Sequence, residues 1–164
     1  MFKNIKKKMK DQRGLTLVEL LAVIVILGII SAIAVPSIGG LIDNTKKDAH
    51  LANAQQMINS AKLAVTTNTT LQDSNTYFLT LEYLEDKKFM DFVKDPDKTN
   101  NGYTRGTNVE PLKQTANPTG SWIKIVKGKV AEVNLVNSER GIQGVAEENL
   151  TRESVTAVAK ASGN

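Results

Sequence analysis

A single carboxylate, Glu19, stands near the start of a run that is otherwise uncharged and largely apolar from Leu15 to Val35. A charge in that setting calls for a partner, because a lone carboxylate in lipid costs about 2.5 to 3.5 kcal/mol even on a lenient insertion scale. Other side chains capable of chemistry lie farther along. Asp95, Asp97, Asn100 and Asn101 collect oxygens of the kind calcium takes, but their spacing is not that of an EF-hand, and turns rich in Asp and Asn commonly serve only as turns. Lys124, Lys127 and Lys129 with Trp122, together with Arg105, offer charge and an aromatic ring to DNA or another polyanion. Lysines in that position equally protect an edge strand from pairing. His50 is the only histidine and there is no cysteine. That combination leaves no disulfide framework, no thiolate or multi-histidine metal centre, and no cysteine nucleophile. No catalytic residue is assigned, and calcium is the one cofactor for which ligands are named.

The elements that must position Glu19 follow from length and charge. Residues 15 to 35 make a helix of about 21 residues and about 32 Å, matching the hydrocarbon thickness of a bilayer. Ahead of it, Lys3, Lys6, Lys7, Lys8, Lys10 and Arg13 outnumber Asp11. The whole chain carries only +4, so residues 1 to 14 hold essentially all of the basic excess and the remainder is close to neutral. Lysines flanking an apolar span stay cytoplasmic and send the other end outward. Three readings of the span compete: a secretory signal ending at Ala32-Ile33-Ala34, a plain signal anchor, and a helix whose carboxylate is given a partner. Only the third accounts for Glu19.

The stretch RGLTLVELLAVIVILGIISAIAVP resembles the N-terminus of type IV pilins and pseudopilins. It has a short basic leader ending in glycine, then a hydrophobic residue, Thr, Leu, an aliphatic, Glu, and a long apolar helix with a proline farther on. The resemblance covers roughly residues 8 to 60, with Leu15 where phenylalanine is commoner. It implies that a prepilin peptidase cuts after Gly14, removes residues 1–14 and N-methylates the new terminus at Leu15. It makes Glu19, with Thr16, an assembly residue. The amine released at Leu15 lies four residues before Glu19, one helical turn, so the two would pair within a subunit or between neighbours. It also makes Gly28 and Pro36 the place where the helix kinks. Proline removes a backbone hydrogen bond whatever the function, and glycine weakens a helix by up to about 1 kcal/mol.

The implied role is a structural subunit of a type IV pilus or pilus-like filament, not an enzyme. It would be held as a single-pass protein of the inner or cytoplasmic membrane, with a cytoplasmic N-terminus, before entering an extracellular or cell-surface filament. Implied partners are further copies of itself, minor pilins, the prepilin peptidase, the membrane assembly platform and its ATPase, and the lipid bilayer before assembly. A competence or type II secretion pseudopilin is the alternative within the resemblance. A monomeric membrane-anchored binding protein is the alternative outside it.

Beyond Pro36 the helix is expected to continue to about Val65 and to become amphipathic. Ile38, Leu41, Ile42, Ala49, Ala52, Ile58, Ala61 and Val65 take one side; Asp43, Asn44, Lys46, Lys47, Asp48, Asn53, Asn59 and Lys62 take the other. Three parts result: a leader at 1–14, a long helix at 15–66 and an α+β head at 67–164. In the head, YFLTLEYLEDKKFMDF reads as a short helix through Leu79, Tyr83, Leu84 and Phe89. KDPDKTNNGYTRGT is a loop. SWIKIVKGKVAEVNLVN reads as a hairpin turning at Lys127-Gly128-Lys129, RGIQG as a short strand, and ENLTRESVTAVAK as a helical turn capped by Thr151. The fold class is α+β: a long N-terminal helix, transmembrane in its first half, packed through its second half on a small antiparallel sheet.

Overall fold

A computed structural model describes residues 16–158. Helix α1 spans Leu17–Thr67 and runs unbroken through Gly28 and Pro36. Pro36 has no N–H to give, so the carbonyl of Ala32 lacks the donor it would otherwise have. The helix stops where β-branched residues accumulate. The hydroxyls of Thr66 and Thr67 fold back onto the carbonyl of Leu63 at 2.8 and 3.1 Å, and Asn68 then caps a short 3-10 turn, Thr69–Gln72, by accepting from the Thr70 amide.

The chain divides into two compact units, Met1–Ile42 and Asp43–Asn164. In the first, the described residues form the opening part of α1. Leu20, Leu21, Ile24, Leu27, Ile30 and Ile33 are exposed there. Among the described residues this is the helix long and apolar enough to cross a membrane.

In the second unit the rest of α1 packs on a six-stranded antiparallel sheet ordered β2-β1-β3-β4-β5-β6. The strands are β1 (Thr76–Thr80), β2 (Leu112–Lys113), β3 (Trp122–Val126), β4 (Lys129–Val136), β5 (Arg140–Val145) and β6 (Val155–Ala157), with helix α2 (Leu81–Asp86) following β1. Side chains alternate across a strand, and the register sets Tyr77 against Ile125 and Leu79 against Ile123. These residues form one core with Val133, Leu135, Ile142 and the α1 residues Ala54, Met57, Ile58, Ala61 and Ala64. On the opposite face Phe78 meets Trp122 edge to face, with ring centroids 5.1 Å apart, and both are buried. This is the α+β, pilin-like architecture expected from the sequence. The hairpin turn also falls where expected: Lys127 and Gly128 both have positive φ, 51° and 73°, as a two-residue turn that follows the strand twist requires.

Three expectations are corrected. Residues 77–92 do not form one helix; Tyr77, Phe78 and Leu79 lie in β1, and only Leu81–Asp86 is helical. The aromatic and β-branched run Thr-Tyr-Phe-Leu-Thr is hydrogen-bonded to β3 along its whole length, so sheet pairing takes Leu79 out of the helical spacing it shares with Tyr83, Leu84 and Phe89. The C-terminal helical turn is instead two 3-10 turns followed by strand β6, which pairs with β5. Thr151 does start the second of these turns, its amide donating to Ser154 Oγ at 3.1 Å. Finally, the two sides of α1 do not divide cleanly into one that meets the head and one that does not, since Asn44 and Asn59 on the polar side are exposed. Asp43, Lys46, Asp48, Asn53 and Lys62 all bond to the head, whereas Ala52 is exposed.

Candidate functional site

The described chain begins at Thr16, so Gly14 and Leu15, the expected cleavage and methylation positions, lie outside the described residues. Thr16 and Glu19 lie inside them and are joined. The Thr16 amide and hydroxyl both donate to Oε2 of Glu19 at 2.8 Å, and the Glu19 amide donates to Thr16 Oγ1 at 3.2 Å. This is a reciprocal capping box, in which a threonine and a glutamate three residues on satisfy two amides that the first helical turn leaves without partners. The spacing Thr-x-x-Glu was visible in the sequence and its capping meaning was missed there. Glu19 thus has a partner within its own chain.

A second cluster is built where α1 meets the loop at 93–105. His50 is fully buried; its Nε2 lies 2.9 Å from Asp97 Oδ2 and its Nδ1 lies 2.7 Å from the Tyr103 hydroxyl. Asn53 Nδ2 donates to that hydroxyl oxygen at 3.0 Å. Asp97 can only accept, so the network is satisfied in one direction: Asn53 to Tyr103, Tyr103 to His50 Nδ1, and His50 Nε2–H to Asp97. Arg140 Nε reaches the same oxygen of Asp97 at 3.0 Å, and its guanidinium also donates to Asp43 on α1 at 2.6 Å. Asn137 bridges Asp95 and Asp97 at 2.9 and 3.1 Å. Among the described residues Asp97 Oδ1 is buried and receives no hydrogen bond, with the Lys46 ammonium 3.5 Å away.

The charges follow this geometry. Burial, the largest single influence, pushes the Asp97 carboxyl up, but His50, Asn137 and Arg140 together outweigh it and hold the group below the usual carboxylate range. Asp43, hydrogen-bonded first by Arg140 and then by Lys47, is held down to about 2. Burial pushes the Tyr103 phenol well above its ordinary value, so it stays a neutral donor. The arrangement ties α1 to the loop at 93–105 and to the β4–β5 turn. It offers no open nucleophile.

The calcium candidates belong to this cluster. One ligand atom each from His50, Asp95 and Asp97 lie within 4.8 Å of one another. Asp95 spends its oxygens on Thr99, the Asp97 amide and Asn137, Asp97 faces two cations and a histidine, and Asn100 is exposed on the outside of the loop. Calcium takes six to eight oxygens; here it would displace His50 and compete with Arg140 for the same carboxylate.

Of the polyanion candidates, Lys127 and Lys129 are exposed at the hairpin turn, whereas the other three are engaged elsewhere. Trp122 is 3% exposed and presents no face for stacking. Lys124 pairs with Glu132 at 3.1 Å. Arg105 is drawn inward, donating to Glu85 at 2.7 Å and to the carbonyls of Tyr103 and Val93, with Phe92 against its guanidinium at 4.0 Å.

Comparison with known proteins bears on the first of the two clusters. No curated protein and no solved structure matches the chain. The family model described as the prokaryotic N-terminal methylation motif matches residues 9–35, a stretch that contains the Thr16–Glu19 pair and the apolar opening of α1. Residues 9–35 are therefore a type IV prepilin-like signal motif, carried by this chain ahead of an α+β, pilin-like head.

Proposed function

We propose that this protein is a structural subunit of a type IV pilus or pilus-like filament, made as a prepilin, cut after Gly14 and N-methylated at Leu15 by a prepilin peptidase. The observation that carries this reading is the methylation motif at 9–35, whose residues 17–35 lie in a helix with exposed apolar side chains. Such a face needs a cover, and two covers succeed one another. Lipid takes it while the subunit waits as a single-pass membrane protein, and the helices of other copies take it after extraction by an assembly platform and its ATPase. Cleavage removes the basic leader but leaves the apolar helix attached. It also uncovers an ammonium four residues before Glu19, and in a low-dielectric core two such charges are far cheaper paired than apart. Pairing across copies then selects the correct axial offset. The chain's role in the processing reaction is that of substrate, and the head is a scaffold whose buried polar cluster around Asp97 is committed to internal bonds.

The test is Glu19→Ala in a host with its assembly machinery. Insertion and cleavage are expected to be retained, while filaments recovered by shearing and seen by electron microscopy fall at least tenfold. Normal filaments from this variant reject the charge-pairing account. A wild-type protein that never leaves the membrane fraction supports a monomeric anchored protein instead.

A further inference from the structure

In the second unit α1 runs between two unlike flanks of the head. A helix advances by about 100° per residue, which sets Asp48, Gln55 and Lys62 about 170° around α1 from His50 and Asn53. His50 and Asn53 bond to the loop at 93–105. Asp48, Gln55 and Lys62 bond to the 3-10 turns Glu147–Asn149 and Arg152–Ser154. Of the two faces between these groups, one buries Ala54, Ile58 and Ala61, and the other leaves Ala52, Gln56, Asn59 and Leu63 exposed.

The flanks carry opposite uncommitted charge. Between positions 91 and 105, Asp95, Asp97 and Arg105 are bonded internally. Lys94 and Lys98, exposed and without an ion pair among the described residues, outnumber the remaining exposed charge there, Asp91. Phe92 stands beside them, 67% exposed, its ring centroid 4.0 Å from the Arg105 guanidinium carbon. It borders, with both lysines, a cavity of about 360 Å³. On the other flank Glu147 is paired with Lys62 and Arg152 with Asp48. That leaves Glu148 and Glu153 exposed and without an ion pair among the described residues. A two-fold contact through either flank would set like charges against each other. A head-to-tail contact sets lysines against carboxylates, and repeating it without closure builds an open helical array.

We propose that the head carries a head-to-tail interface with further copies of this chain, in which the flank of Phe92, Lys94 and Lys98 on one copy receives the flank of Glu148 and Glu153 on the next. This rests on the filament reading above, for which it names the surfaces by which heads meet. Phe92 gives the contact an apolar centre, and the charges around it fix which neighbour is accepted and in which orientation.

The experiment uses the full chain in a host with its assembly machinery, scoring processed subunit, Trp122 fluorescence as a report on the head, and sheared filament per processed subunit. Lys94→Glu with Lys98→Glu is expected to be processed with an unchanged head. Its filament yield should fall about fivefold or more, the effect of losing two exposed ion pairs and opposing like charges. Glu148→Lys with Glu153→Lys should do the same. All four changes in one chain should restore filaments to within about twofold of wild type, the signature of coupled sites. The chain has no cysteine of its own, so Lys94→Cys with Glu148→Cys should give a ladder of covalent multimers when filaments are treated with a short bismaleimide, and either cysteine alone should give none. Wild-type yield from both charge-reversed chains overturns the proposal, as does a four-change chain no better than its parents. Covalent dimers from Lys94→Cys alone also overturn it, because like flanks would then meet. A wild-type chain that is processed but never forms filaments overturns the filament reading itself.

Discussion

His50 on α1 meets Asp97 across 2.9 Å although 47 residues separate them, and this contact is the centre of the polar bond between helix and head. Replacing His50 by alanine strips the Tyr103 hydroxyl of its acceptor and one donor from a buried carboxylate, and opens a void. The expected loss is about 2 to 4 kcal/mol, read from denaturant unfolding of the detergent-solubilised chain by Trp122 fluorescence. A change below about 0.5 kcal/mol, the range of ordinary surface substitutions, would show the network to be dispensable.

Arg140 makes the same cluster sensitive to acid. Its bonds hold Asp43 down to about 2 from an ordinary value of 3.8, and they contribute to the lowering of Asp97. A carboxyl whose folded pKa is depressed contributes stability that is present above its unfolded value and is lost as pH falls through the folded one. Thermal stability is therefore expected to be flat down to about pH 5 and to fall between about pH 4 and about pH 2. Arg140→Leu should be less stable than wild type near neutrality, with the gap closing across that acid window. A gap independent of pH would contradict the assignment.

Exposed pairs should behave differently. Arg152 holds Asp48 with two bonds, at 2.7 and 2.8 Å, but both side chains are about half exposed. Arg152→Ala is expected to cost no more than about 1 kcal/mol and to lose even that at high salt, as exposed ion pairs do. An effect equal to that of Arg140→Leu would mean that exposure does not rank these contacts.

Two glycines separate packing from propensity. A Cβ on Gly141 would collide with the Leu135 carbonyl oxygen and stand 2.6 Å from Val136 Cα, both backbone atoms of the neighbouring strand, so Gly141→Ala should disrupt the β4–β5 pairing at a cost of about 3 kcal/mol or more. Nothing lies within 4 Å of a Cβ on Gly28, so Gly28→Ala should leave the head unchanged and raise helicity in α1, by about 0.5 to 1 kcal/mol. Circular dichroism and Trp122 fluorescence of the two variants check this pair, and a Gly141→Ala protein as stable as wild type would refute it.

Much of this was readable from residue order because the signals are local. A twenty-residue apolar run, the stretch from Gly14 to Glu19, the Lys127-Gly128 turn and the alternation of residues 122 to 136 each declare themselves within a short window. What escaped was set by distance. Leu79 repeats with Tyr83 at a helical interval, and only its ladder with Ile123 shows that it belongs to a strand. Asp43, Lys46 and Asn53 look like solvent groups because their partners, Arg140, Asp97 and Tyr103, lie 97, 51 and 50 positions on. Strand β2, two residues long, carries too little pattern to be seen. The Thr16–Glu19 cap is the opposite case: it is local, but Glu19 was judged only by the charge it would meet after cleavage.

The central claim is that residues 9–35 are processed as their motif implies, and the most direct test is the mass of the mature chain with sequencing of its N-terminal peptide. A terminus at N-methylated Leu15, with residues 1–14 gone and the apolar helix retained, is the result this account predicts. An intact N-terminus at Met1, or cleavage that leaves Val35 first, would contradict it.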